Sequence, residues 1–220
     1  MTTQFLRSLD GIFYSLLAFA GLVLYESFGV VTLWAKPSIY TALPLAALFG
    51  ATLFLPDNGR WPDALSATVH NLKILALALV GCYPFIPWHA SGTTSIGLAA
   101  GAGAACFFGT LYLLELLKLL GMMFAMCHKQ ELHKLTRQLR IAMSYVVLTP
   151  AATVHGLVIF QMTRHKIAPT RLLKYAWDNL NPAVRLGGLL FAAVSAVLLL
   201  FLLQRSRAYA PTFMEKLEKE

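Results

Sequence analysis

Charge is scarce in this sequence. Only 13% of its 220 residues are Asp, Glu, Lys or Arg, whereas 58% are hydrophobic, and the mean hydropathy is +0.65. A soluble domain carries about one charged residue in four, so this composition excludes an ordinary water-soluble fold. Lipid accepts the excess apolar side chains, because residues that face hydrocarbon need no burial inside the protein. The composition therefore predicts an integral membrane protein.

Cysteines and catalytic motifs are also sparse. The three cysteines, Cys82, Cys106 and Cys127, lie within or at the ends of apolar runs, and their odd number gives no disulfide framework. We interpret them as small packing residues. The sequence has no GxSxG elbow, no HExxH motif, no phosphate-cradling glycine loop and no dense acidic cluster. We therefore expect a non-catalytic protein, with a lipid-modifying enzyme as the weakest alternative.

Long apolar runs dominate what is present. Four charge-poor runs are long enough to cross a hydrocarbon core of about 30 Å, and two more qualify with help from neighbouring helices. We predict an all-α, polytopic transmembrane helix bundle of about six spans that forms a single membrane domain over residues 1–220. The predicted spans are residues 11–34, 39–56, 67–87, 94–123, 141–162 and 186–203.

Two segments between the spans are rich in basic residues. The fourth run is longer than a bilayer requires, so its helix either tilts or continues past the membrane surface, and we expect a basic cytoplasmic helix extension near residues 124–140. Residues 164–185 mix basic residues with Tyr175 and Trp177, which is typical of a helix lying in the headgroup region. If this second segment were cytoplasmic, residues 141–162 would be re-entrant. Five spans plus a re-entrant or interfacial helix is therefore the structural alternative.

The placement of Lys and Arg indicates orientation. With the N-terminus inside, the predicted cytoplasmic segments hold more Lys and Arg than the outer ones, which favours both termini in the cytoplasm. Span lengths and short tails suit a bacterial inner membrane. The basic residues are scattered over short loops, without the dense patch and interleaved aromatics of a nucleic-acid site. We expect anionic lipid headgroups, not nucleic acid, to be their partners.

Rows of small residues four apart are the clearest pattern in the chain. Such faces let helix backbones approach closely, which matters in lipid because dispersion contacts hold helices together there. The rows predict association with copies of this chain or with other membrane subunits, and packing within the monomer is the alternative. The rows are Gly97, Gly101, Ala105 and Gly109 in the fourth span, Ala42, Ala46 and Gly50 in the second, and Gly188, Ala192 and Ala196 in the sixth.

Ionisable residues inside the spans are costly and are therefore candidates for function. Glu115 and Lys118 are three residues apart and can pair on one helix face. His70 and Lys73 lie near the expected cytoplasmic end of their helix, where long side chains reach the headgroups. We interpret these two sets as an internal ion pair and an interfacial pair.

Glu26 and His155 both fall in the outer halves of their predicted spans. At similar depth they could meet, and each would stabilise the charged form of the other. Such a contact would make a proton-binding or polar packing site. A transporter or channel component would use these two residues, or the pair Glu115 and Lys118, in an ion path.

The histidines also allow a haem hypothesis. His70 and His128 lie toward the cytoplasm, and His89 and His155 toward the outside, so two pairs of axial ligands for haem b can be drawn. His128 and His133 are five apart on a helix and face different ways, so they do not form a chelating pair. We predict no metal site and no cofactor, with haem b as the secondary hypothesis.

These observations together favour a non-catalytic integral membrane subunit with a structural or assembly role in a larger membrane complex or homo-oligomer. The first alternative is a transporter or channel component that uses intramembrane Glu and His. The second is a haem-b or quinone-linked membrane anchor of an electron-transfer complex.

Overall fold

The computed structural model describes residues 2–28, 39–56, 61–85, 96–149, 153, 156–157, 159–160, 163–164, 179 and 181–219. This part of the chain contains no strand. A π-helical turn, Ser144–Leu148, lies within the predicted fifth span, shortly before Pro150. The helices are α1 (Thr2–Phe28), α2 (Ile39–Leu53), α3 (Asp63–Cys82), α4 (Ile96–Met126), α5 (Gln130–Met143) and α6 (Pro182–Lys219).

Four of these helices are long and apolar enough to cross a membrane. The apolar part of α2, Ala42–Leu53, is shorter. The prediction of an all-helical, multi-pass membrane protein is therefore confirmed in this coarser form. The four stretches are Thr2–Leu22, Asp63–Cys82, Ala100–Met126 and Pro182–Glu218.

Five of the helices close into a ring. α1 packs against α2 and α6, α2 also packs against α3, α3 packs against α4, and α4 packs against α6. α5 is not a member of this ring but packs against α4 and, less extensively, α6. α4 therefore packs against three of the described helices, α3, α5 and α6.

Aromatic packing concentrates at one end of the ring. The Phe5 ring of α1 lies 5.6 Å from that of Phe213 near the end of α6, and 6.5 Å from Trp61, just before α3. All three side chains are buried. Asp10, near Phe5 in α1, forms an ion pair with Arg207, near Phe213 in α6. The first turns of α1 and the last turns of α6 thus lie at the same end of the bundle.

Two close helix contacts depend on glycine. A Cβ atom added to Gly11 of α1 would lie 2.6 Å from the Cβ of Ala51 in α2, a distance that real Cβ atoms do not reach. A Cβ on Gly101 of α4 would lie 2.4 Å from the ring of Phe85. At Gly11 the backbones of α1 and α2 approach because no side chain of Gly11 separates them, and at Gly101 the Phe85 ring packs directly on the backbone of α4, contacts by which helices gain dispersion energy in lipid.

A hydrogen bond spans the inside of the ring. The Thr52 hydroxyl of α2 and the Tyr112 hydroxyl of α4 lie 2.7 Å apart, and both residues are buried. Thr52 Oγ1 also donates to the carbonyl oxygen of Leu48 at 2.7 Å. Because a threonine hydroxyl has one proton, Tyr112 is the donor in the bond to Thr52. This bond joins two helices that are separated by α3 in the ring order.

The Gly11 contact predicts a selective loss of stability. Gly11→Ala should destabilise the protein by about 1–3 kcal/mol, because the methyl group overpacks the contact with Ala51. Gly21→Ala is the matched control in the same helix, since nothing lies within 4 Å of its added Cβ. The control should leave stability unchanged or raise it by up to about 1 kcal/mol. Thermal unfolding in detergent, followed by circular dichroism, measures both, and equal effects would contradict the close approach.

The Thr52–Tyr112 bond predicts an asymmetry between its two partners. Tyr112→Phe should cost about 1 kcal/mol, because Thr52 keeps its bond to Leu48. Thr52→Val leaves the buried Tyr112 hydroxyl without an acceptor and should cost about 1–3 kcal/mol. The double variant should recover part of the loss seen in Thr52→Val. The same unfolding assay tests this order, and a larger loss in Tyr112→Phe would refute the donor assignment.

Candidate functional site at the helix hairpin

The structure corrects the expected continuation of the fourth helix. α4 ends at Met126, where the Lys129 N–H donates to the Phe124 carbonyl oxygen at 2.8 Å and the His128 N–H to that of Ala125 at 3.0 Å. These two bonds form a Schellman motif, which stops a helix. Residues 130–143 form a separate helix after a three-residue turn. The basic segment therefore begins a helical hairpin and does not extend α4.

His128 makes this turn. Its φ is 55°, in the left-handed region that glycine usually occupies at the end of a Schellman motif. Asn, Asp and His enter this region more readily than other residues with a side chain. The usual sequence signal for a helix end, a glycine, is absent here, and this is why the pattern of residues 124–140 suggested one continuous helix.

α5 folds back along α4. The His133 Nδ1–H donates to the carbonyl oxygen of Gly121 at 2.9 Å, because a carbonyl can only accept. Gly121 faces α5, since a Cβ added to it would lie in ordinary contact distance, 3.6 Å, of the Thr136 side chain. Thr136, Leu139 and Met143 are buried, whereas Lys134, Arg137 and Arg140 are exposed. α5 is thus an amphipathic helix lying on α4, as its charge pattern allows.

The end of α6 holds the hairpin turn in place. The Lys216 Nζ donates to the Met126 carbonyl oxygen at 2.6 Å, and Lys129 lies 5.0 Å from the centre of the Tyr209 ring. Cations suit this position because the carbonyl end of a helix carries partial negative charge. Burial raises the pKa of the Cys127 thiol, although Lys216 and Lys129 lower it. Cys127 is therefore a buried packing residue at the turn, and its thiolate is disfavoured.

A groove between α4 and α5 collects basic side chains. Its volume is about 270 Å³, and Lys118 of α4 and His133, Arg137 and Arg140 of α5 line it together with apolar residues such as Met122. We call it the hairpin groove. Arg140 also lines a second cavity of about 340 Å³ toward α3, with Asn71 and Glu115.

The predicted pair Glu115 and Lys118 lies beside these cavities. Glu115 Oε2 and Lys118 Nζ are 3.5 Å apart, and both side chains are partly exposed. The i,i+3 spacing on α4 thus brings the two charges together. The pair joins residues of one helix only, so it satisfies its own charges without linking α4 to a neighbour.

The three small-residue rows have different surroundings. On α4, Gly101 lies against Phe85, Ala105 is buried, and a Cβ on Gly109 would lie 3.5 Å from Leu79, whereas Gly97 is exposed. This row therefore faces its own chain.

The other two rows are more open within the described ranges. A Cβ on Gly50 or Gly188 would meet nothing within 4 Å. Ala46, Ala192 and Ala196 are exposed, and Ala42 is half-buried. These rows on α2 and α6 leave room for another helix.

Several predicted polar residues cannot be placed against one another. The Glu26 side chain, His89 and His155 lie outside the described residues, so the Glu26–His155 contact and the His89–His155 haem pair stay predictions. His70 is exposed on α3, Lys73 is half-buried one turn later, and His128 is exposed at the turn. In the described ranges, no three His, Cys, Asp or Glu side chains gather as a metal site would require.

The small-residue rows did not include Gly11, which makes the close contact with Ala51. Ser15 lies four positions after Gly11, and this spacing of two small residues was the available signal for it. The amphipathic charge pattern of residues 130–143 was the available signal for α5, since its buried residues recur at helical spacing.

The turn at His128 predicts an order of stabilities. His128→Gly should raise stability by about 1 kcal/mol, because glycine accepts a positive φ without strain, and His128→Val should lower it by about 1–2 kcal/mol. His128→Asn should remain close to the native chain. Thermal unfolding in detergent ranks the three variants. A valine variant as stable as the glycine variant would show that the chain does not turn through a left-handed residue here.

Comparison of the chain with protein-family models, with curated proteins and with solved structures gives no match. Any role of the hairpin groove, or of the open small-residue row on α6, is therefore inferred from the residues of this chain alone.

Proposed function

We propose that this chain is a non-catalytic structural subunit of a membrane assembly, which joins copies of itself or other membrane subunits through the first half of α6. The observation that carries the proposal is the open row formed by Gly188, Ala192 and Ala196. A small-residue face gives another helix backbone a place to approach, and this is a common basis of helix association in lipid.

The surroundings of this row support the proposal. Bulky residues flank it on the same half of α6, and each is between 56 and 66% exposed. In the second half of α6, by contrast, buried residues such as Leu202, Leu203 and Phe213 pack into the ring. The second half of α6 thus packs within its own bundle, and the first half is open to a partner helix. The exposed bulky residues are Val184, Leu186, Leu189, Leu190, Val194 and Val197.

The interior of the ring supports a structural role over a transport path. Tyr112 reaches across it to Thr52, and buried residues of α4 such as Leu116 and Leu120 fill the adjoining turns. An ion path would need a hydrated route lined by polar groups. Glu115 and Lys118, the described pair suggested for such a path, line the two cavities beside α5 instead.

We further propose six spans with both termini in the cytoplasm of a bacterial inner membrane. Residues 39–56 and 141–162 would supply the two spans beyond the four long helices. The ends of α1 and α6 meet through Phe5 and Phe213, which supports an even number of crossings, six and not five. The basic hairpin lies near the same end, since Phe124 contacts Tyr209, and basic segments favour the cytoplasmic side.

Gly188→Ile should break the assembly, because the side chain fills the face that the partner helix approaches. Gly187→Ile is the matched control: it adds the same side chain one position away, also where nothing lies within 4 Å. Native mass spectrometry after gentle extraction from the membrane should show a defined heavier assembly for the native chain and the control. Gly188→Ile should raise the dissociation constant of the assembly about tenfold, equivalent to about 1.4 kcal/mol, and so increase the monomer fraction.

Other spectra would decide against the proposal. A bare native monomer without any partner would remove it and direct attention to transport through Glu26 and His155. An added haem mass would favour the electron-transfer alternative. Equal dissociation of the two isoleucine variants would show that the row on α6 is not the contact face.

A further inference from the structure

The hairpin groove holds more positive charge than the protein neutralises. Lys118 enters it from α4, and Arg137 and Arg140 enter from α5 one helical turn apart. Two ion pairs form in the described part of the chain, Glu115–Lys118 and Asp10–Arg207, and neither includes an arginine of the groove. Three cations and one nearby carboxylate leave an excess of about two positive charges along the lining of the groove, which favours an anion there.

The turn at His128 creates this arrangement. Had α4 continued straight, Arg137 and Arg140 would lie beyond Met126, far from Lys118 along the helix axis. Because α5 folds back, with His133 bonded to Gly121, the two arginines come alongside Lys118. His133, which uses its Nδ1 in that bond, also lines the groove.

The surface around the groove changes from basic to apolar. Lys134, Arg137 and Arg140 are exposed on α5, and Ile141, Tyr145 and Val146, directly after them, are 48, 74 and 47% exposed. An aromatic and aliphatic surface next to basic residues is typical of the boundary between hydrocarbon and headgroups. The groove itself contains Leu117 and Met122 beside its bases. Its position thus matches the depth at which a lipid phosphate lies.

We propose that the hairpin groove binds the phosphate of an anionic membrane lipid, with the acyl chains along the apolar surface beside α5. Arginine suits this ligand because its planar guanidinium donates two parallel hydrogen bonds to phosphate oxygens. Basic pockets between membrane helices are known to hold such headgroups. A groove of about 270 Å³ is near the lower limit for small-molecule sites, which fits a headgroup and not a whole lipid.

Native mass spectrometry of the detergent-purified full chain tests this. The probes are phosphatidylglycerol and phosphatidylcholine with identical acyl chains, added at equal concentration. The native chain should retain phosphatidylglycerol preferentially. Arg137→Gln and Arg140→Gln should each reduce that retention about fivefold, and the double variant about 25-fold. Lys134→Gln removes an exposed base of the same helix that does not line the groove, and it should change retention less than twofold.

Two further variants and one competitor separate the explanations. Arg137→Lys with Arg140→Lys keeps the charge and should retain part of the preference, which a general loss of fold would not allow. Inorganic phosphate should compete weakly, because it gains nothing from the apolar surface. Displacement by inorganic phosphate as effective as by phosphatidylglycerol would assign the groove to free phosphate and overturn the lipid assignment.

A loss in Lys134→Gln equal to that in Arg137→Gln would show diffuse attraction to a basic surface and would also overturn the proposal. The groove variants leave α6 unchanged, so the monomer fraction of each should equal that of the native chain. This outcome is independent of Gly188, and the two proposals can therefore fail separately.

Discussion

Close approach of helix backbones is the constraint on which the rest of this structure depends. In lipid, burying an apolar side chain against another helix gains little over leaving it against acyl chains, so helices must gain dispersion contacts and a few buried hydrogen bonds. Gly11 against Ala51 provides the first kind of contact between two helices, and Gly101 provides it against the ring of Phe85. The bond between Tyr112 and Thr52 provides the second and joins helices that are not neighbours in the ring.

The same constraint explains how the hairpin is held. α5 is polar on one face, so it gains little from packing alone, and its position needs specific links. His133 supplies one to the backbone of α4, and the end of α6 supplies others through Lys216 and Tyr209. Lys216 reaches the Met126 carbonyl oxygen, one of the last carbonyls that α4 leaves unpaired, and the Cys127 thiol at the turn contacts the Tyr209 carbonyl oxygen of α6. The ring and the hairpin are therefore stabilised at the same end of the bundle.

Composition was sufficient to predict an all-helical membrane protein, because few other classes of protein contain so few charged residues. The spacing of Glu115 and Lys118 was enough to bring the two charges together, since i,i+3 neighbours lie on one helix face. The end of α4 was not predictable in the same way, because His128 adopts a backbone conformation that sequence patterns assign to glycine. The sequence also could not predict which small-residue row packs within its own chain. The spacing of small residues is the same in all three rows, and the arrangement of the helices in the ring decides which row is covered.

Folding the basic segment back has an electrostatic consequence. A straight extension would place its arginines in water beyond Met126, far from Lys118 along the helix axis. The hairpin instead sets Arg137 and Arg140 beside Lys118, near the apolar surface that begins at Ile141, so the positive charge of Lys118 repels theirs. The links from His133 and Lys216 oppose this repulsion without neutralising it. An anion in the groove would remove the repulsion, so lipid binding and the stability of the hairpin should increase together.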